Sequence, residues 1–134
     1  MSQENVEIAQ ENIAAFNRHE IDAFLALLHP DVEWEDSNGF PDLQGVYRGR
    51  AGARKWWERF LDAWESFHAE VEEVTEGTDG RVLLQVVGIA RGRASGVETE
   101  LRTWFVLWIA GGMITKRQIF WSRAEALESA GLRE

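Results

Sequence analysis

The stretch "VETELRTWFVLWIAGGMITKRQIFW", from Val97 to Trp121, constrains the fold more than any other part of the chain. Two β-branched and aromatic runs flank Ala110, Gly111 and Gly112, and a glycine pair between such runs signals a β-hairpin. Along the first run, Val97 to Ile109, the residues Leu101, Thr103, Phe105, Leu107 and Ile109 share one parity, while Arg102, Trp104, Val106 and Trp108 share the other. Both faces of this strand are therefore largely apolar. An antiparallel sheet with helices on one side usually turns a polar second face to water, so the outer face is expected to meet another surface. A homodimer through the sheet is the simplest cover, and terminal helices wrapped around it are the other.

The rest of the second half continues the pattern. Phe67 to Val74 alternates weakly, "EGTDG" turns, Arg81 to Arg91 is rich in valine and leucine, and "GRASG" turns again. The first half reads as helices. Ser2 can cap a helix with Val6, Ala9, Ile13 and Phe16 on one stripe, and Asp22 a shorter one carrying Phe24, Leu27 and Leu28 that Pro30 stops. A strand is expected over Val32 to Asp36. "AGARKWWERFLDAWES" then sets Ala53, Trp56, Trp57, Phe60, Leu61 and Trp64 at three- and four-residue steps, the strongest helical stripe in the chain. A short last helix begins near Arg123 and ends before Gly131. Helices followed by strands indicate an α+β fold with the helices on one face of an antiparallel sheet, and the 134 residues are read as one domain, 1–134.

Composition narrows the function. A net charge of -9 offers nothing to offset phosphate repulsion, so no nucleic-acid partner is expected. With no cysteine there are no disulfides and no thiolate chemistry. His19, His29 and His68 lie far apart and in no ligand spacing, so no metal is expected. No apolar run is long enough for a membrane span, which leads to the expectation of a cytoplasmic protein. In "YRGRAG", Tyr47 to Gly52, two arginines precede a helix start that could hold an anion, or they are solvated charges of an entry loop.

Asp36 carries the sharpest chemical signal. It shares strand parity with Val32 and Trp34, so its carboxylate should point to the interior, where an apolar setting would make it a stronger base. Against this, "DSNG" is turn-like in every residue, and an Asx turn would give Asp36 a local role only. Glu35 has the opposite parity and is expected in solvent. The chain's seven tryptophans either fill the core or wall a cavity for an apolar molecule.

The segments "AAFNRHEIDAFLALLHPDVEWED", "YRGRAGARKWWERF" and "IFWSRAEALESAGL" resemble the SnoaL-like proteins of the nuclear transport factor 2-like superfamily, over nearly the full length. The resemblance implies a cone-shaped curved antiparallel sheet, three N-terminal helices packed on its concave face, and a short C-terminal helix. It implies a pocket for a small apolar molecule but not one activity, since the superfamily includes isomerases, polyketide cyclases, epoxide hydrolases and proteins that only bind or dimerise. Compared with ketosteroid isomerase, Asp36 falls on the proton-abstracting aspartate, Asn12 on the tyrosine donor and Trp104 on the protonated aspartic acid. Arg102 resembles the arginine of the epoxide hydrolases' water-binding network. The implied reading is an enzyme without cofactor in which Asp36 takes a proton next to a carbonyl. Asn12, Arg102 or Trp104 would polarise the oxygen, and Phe16, Trp34, Trp56, Phe60 and Trp108 would form the walls. The alternatives are a binding protein without chemistry and a structural dimerisation domain.

Overall fold

The computed structural model describes residues 2–36 and 43–132. The element order is α1 (Ser2–Asn17), α2 (Ile21–Ala26), β1 (Leu28–Glu35), β2 (Val46–Arg48), α3 (Gly49–Ala63), β3 (Trp64–Glu76), β4 (Arg81–Gly92), β5 (Glu98–Ala110), β6 (Met113–Phe120) and α4 (Arg123–Ser129). Six strands form one curved sheet in the order β2-β1-β6-β5-β4-β3. Neighbours run antiparallel except β1 and β6, which are parallel. The first three helices pack on the concave face, and the fold is α+β as expected. No helix among the described residues is long and apolar enough to cross a membrane.

Several boundaries differ from the sequence reading, each for a local physical reason. β1 begins at Leu28 and runs through Pro30, which the sequence suggested as a stop. The ladder to β6 is broken between Leu28 and Glu33, so the proline's missing N–H falls where no regular ladder bond is made. A three-residue strand, β2, lies inside the stretch read as loop and borders β1 through Trp34 and Tyr47. α3 ends at Ala63, so Trp64 does not extend the helical stripe; it opens β3 with an extended backbone. The turn read in Ser37–Gly39 lies outside the described residues, as does the side chain of Ser2.

The core is aromatic. Phe16 of α1, Phe24 of α2, Trp34 of β1 and Trp56, Trp57 and Phe60 of α3 are all buried in one cluster. Phe24 stands 4.8 Å from Trp57 and 5.3 Å from Trp34, both edge-on, the geometry that ring quadrupoles favour. On the convex face, Leu83 and Val106 are buried with Ala126, Leu127 and Ala130 of α4, with Trp104, Trp108 and Phe120 packed around them. Of the two covers expected for this face, the chain itself supplies the terminal helix.

The hairpin between β5 and β6 turns through Gly111 and Gly112 at φ +60 and +78, the left-handed pair that a two-residue type I′ turn requires. Its ladder starts at Ala110↔Met113 and Ile109↔Ile114, then shifts, so that Trp108 pairs with Lys116 and Leu107 with Arg117. Thr115 is the extra residue, and its Oγ1 donates to the Trp108 carbonyl at 3.2 Å. Such a bulge exchanges the faces to which all later residues of the strand point.

At the outer edge of the sheet, Asn17 closes the end of α1 onto β3. Its Nδ2 donates to the Ala69 carbonyl at 2.7 Å and its Oδ1 accepts from the Ala69 N–H at 2.9 Å. Asn17→Ala removes both bonds and is expected to cost about 1–3 kcal/mol. Urea denaturation should show a lower midpoint with an unchanged slope; an unchanged midpoint would mean that water replaces the clamp without loss.

Candidate active site

The concave face and the helices enclose a cavity whose polar centre is an ion pair. Asp36 and Arg117 are 1% and 2% exposed, among aromatic rings. Arg117 Nη1 donates to Asp36 Oδ1 at 2.5 Å and to the Glu35 carbonyl at 3.2 Å. Trp56 Nε1 donates to the second carboxylate oxygen, Oδ2, at 3.3 Å. The guanidinium lies 4.5 Å from the centre of the Phe105 ring, 4.8 Å from Trp34 and 5.2 Å from Trp56. Ring faces attract a desolvated cation, and these three help to hold it out of water.

Burial pushes the Arg117 guanidinium below its usual value, and the adjacent Asp36 carboxylate pulls the other way. A guanidinium starts so far above neutrality that it remains a cation, and its charge is balanced by one carboxylate. Each carboxylate oxygen carries two lone-pair sites, so the bonds from Arg117 and Trp56 leave a further acceptor site on each Asp36 oxygen.

Asp36 lies beside Val32 and Trp34 on the buried parity of β1, and Glu35 on the other, where it accepts from Gln118 Nε2 at 3.0 Å. Asn12, on α1, also lines the cavity; it is 1% exposed and its Nδ2 has no hydrogen-bond partner among the described residues. The Trp34 indole N–H and the Arg117 Nε–H are likewise unpartnered there. Buried donors rarely go unused, and a donor-rich cavity suits a molecule that presents an acceptor oxygen. Phe16, Trp34, Trp56 and Phe60 form walls.

Three residues expected at the site are elsewhere. Arg102, Trp104 and Trp108 lie on the convex face of β5, whose other parity (Leu101, Thr103, Phe105, Leu107) lines the cavity. Arg102 is half exposed and pairs with Glu72 at 3.4 Å. Trp104 packs toward α4, and Trp108 is flanked by Arg81 and Lys116. Two apolar faces gave the strand's period nothing to distinguish inside from outside. In "YRGRAG", Arg48 is paired with Glu33 at 2.5 Å and Arg50 donates to the Leu28 carbonyl at 2.9 Å, so the chain's own oxygens take both cations.

Arg117 escaped the sequence reading. Without the Thr115 bulge, a hairpin ladder continuing from Ile109↔Ile114 would set Arg117 opposite Val106, on the convex face. The bulge moves it opposite Leu107 and beside Trp34 of β1. Its alternation with the apolar Ile119 was the one local hint.

The sequence model of the SnoaL-like domain matches residues 9–117. The chain belongs to the SnoaL-like family. No curated protein matches the sequence. Solved structures share the SnoaL-like fold at low identity. One is a Catenulispora acidiphila protein with a ketosteroid isomerase-like fold in complex with trimethylamine, 21% identical, covering 94% of this chain and 93% of that one, with a TM-score of 0.75. A Mycobacterium tuberculosis protein in complex with estradiol-17beta-hemisuccinate is 18% identical, covering 90% and 95%, with a TM-score of 0.77. SalBIII, an epoxide hydrolase/cyclase-like enzyme in pyran ring formation in the polyether salinomycin, is 20% identical, covering 90% and 92%, with a TM-score of 0.76. At these identities the likeness establishes the architecture of this SnoaL-like domain and no activity.

Proposed function

We propose that this SnoaL-like protein binds a small apolar molecule bearing a carbonyl oxygen and abstracts a proton beside that carbonyl, with Asp36 as the base and no cofactor. The observation that carries the reading is a buried ion pair set into the aromatic wall of a cavity. Such a pair costs several kcal/mol of desolvation per ion and adds little net stability over an apolar core, so a catalytic use accounts for its presence better than a structural one. Asn12 Nδ2 and the Trp34 N–H are the groups that would polarise the carbonyl, and Arg117 orients the base. A relative of the same fold that holds a steroid ester supports the choice of an apolar, oxygen-bearing ligand.

The reaction can be tested without knowing the substrate. Small cyclic and aryl ketones in deuterated buffer should exchange their α-protons faster with the protein than without it, read by proton NMR. Asp36→Asn, which keeps the shape and loses the base, should lower that exchange by about 100-fold or more. Exchange that survives Asp36→Asn would remove Asp36 from the mechanism. A second reading, a binding protein without chemistry, draws on the bonds that both Asp36 oxygens already accept. It predicts ketone binding with no exchange above buffer.

A further inference from the structure

The cavity is smaller than the ligands its fold suggests. Its interior gives the centres of water molecules about 40 Å³, room for roughly three at about 10–15 Å³ each. The hollow counted with its open mouth and the gaps between side chains is about 630 Å³, but the closed part limits what a ligand can occupy. Pockets for drug-sized molecules run to about 300–1,000 Å³. A one-ring molecule must reach from this closed part into the open mouth, and a larger one needs a wall of that mouth to move.

The lining identifies which wall. Of the described residues around the cavity, all are buried except Phe67, Leu101 and Phe105, which are partly exposed and so mark its mouth. Phe105 is held under the Arg117 guanidinium. Phe67 is seated differently: it lies over Gly88, where a Cβ would come within 2.6 Å of its ring Cζ. Gly88 stands directly opposite Leu101 in the β4–β5 ladder and opposite Ala69 in β3, so the floor beneath the ring is built from small side chains beside one leucine. The ring closes inward on Phe60 at 4.6 Å and Phe16 at 5.9 Å, both edge-on.

We propose that Phe67, seated on the bare backbone of Gly88, is the specificity-determining residue of this pocket: its ring occupies the space that a second ring of the ligand would take, and ligands larger than one ring enter only by displacing it. The inference rests on the pocket reading above and adds a size limit to it. An aromatic ring over a strand glycine also shields the exposed backbone, and that purely structural role predicts no dependence of ligand size on Phe67.

Calorimetric titration with acetophenone, which has one ring, and 2-acetylnaphthalene, which has two, separates these cases. Phe67→Ala should bind the two-ring ketone about tenfold more tightly than the native protein while changing acetophenone affinity less than about threefold. Phe67→Leu, a smaller perturbation of the fold, should fall between the two. Gly88→Ala pushes the ring into the cavity and should weaken both ketones about tenfold, but have less than about a threefold effect in the Phe67→Ala background, the signature of two coupled residues. Native protein and the folded Phe67 variants binding both ketones equally would overturn the size limit and leave the pocket reading intact. Failure of every variant to bind either ketone would overturn both.

Discussion

Arg117→Met is expected to lower the unfolding free energy by about 3–5 kcal/mol, because it leaves the Asp36 carboxylate buried with only the Trp56 indole as a side-chain donor among the described residues. The double variant Asp36→Leu/Arg117→Met should recover most of that loss, since well-packed apolar side chains commonly replace a buried ion pair at no cost or with a gain. Ketone exchange should vanish in both. Urea denaturation of the native protein, the single variant and the double variant supplies the comparison. A loss of under about 1 kcal/mol in Arg117→Met would mean that water solvates the carboxylate freely, and its burial in an ion pair would have to be abandoned.

The second large effect is expected at Trp56. Its ring meets Phe16, Trp34 and Phe60 at centroid distances of 6.0, 5.3 and 5.2 Å, and its N–H holds Asp36. Trp56→Ala should cost about 3–5 kcal/mol, the range for a large core aromatic cut back to a methyl group. Trp56→Phe keeps most of the ring contacts and removes the donor, so it should cost about 1–3 kcal/mol, the penalty of an unmet buried acceptor. Equal losses in the two variants would assign the whole effect to the hydrogen bond and none to packing.

Different parts of this architecture were legible in the sequence to different degrees. The stripe Ala53, Trp56, Trp57 and Phe60 was readable because a helix repeats its buried face every three or four residues whatever it packs against. Trp64 kept the same spacing yet belongs to β3, since spacing alone carries no mark of where a helix stops. Burial of Asp36 agreed with its parity with Val32 and Trp34, although the turn-like "DSNG" offered a local role as readily. Its partner did not, because Arg117 lies 81 residues away and the ion pair forms only when the first and last strands of the chain pair side by side. Arg102, Trp104 and Trp108 were misplaced because the sign of a face is a tertiary property: it depends on which side α1 and α3 settle, and no residue within β5 records that.

The Thr115 bulge has a genetic consequence. Gain of one codon beside it, with the glycine turn and the bulge kept, would move every later pairing by one residue and exchange the contents of the two faces of β6. The former Lys116 would then be aimed at the cavity, and Arg117 would face α4. A single in-frame insertion is thus predicted to inactivate the site without altering any of its residues, whereas an ordinary point substitution at Thr115 leaves the strand's count, and with it the pair, in place.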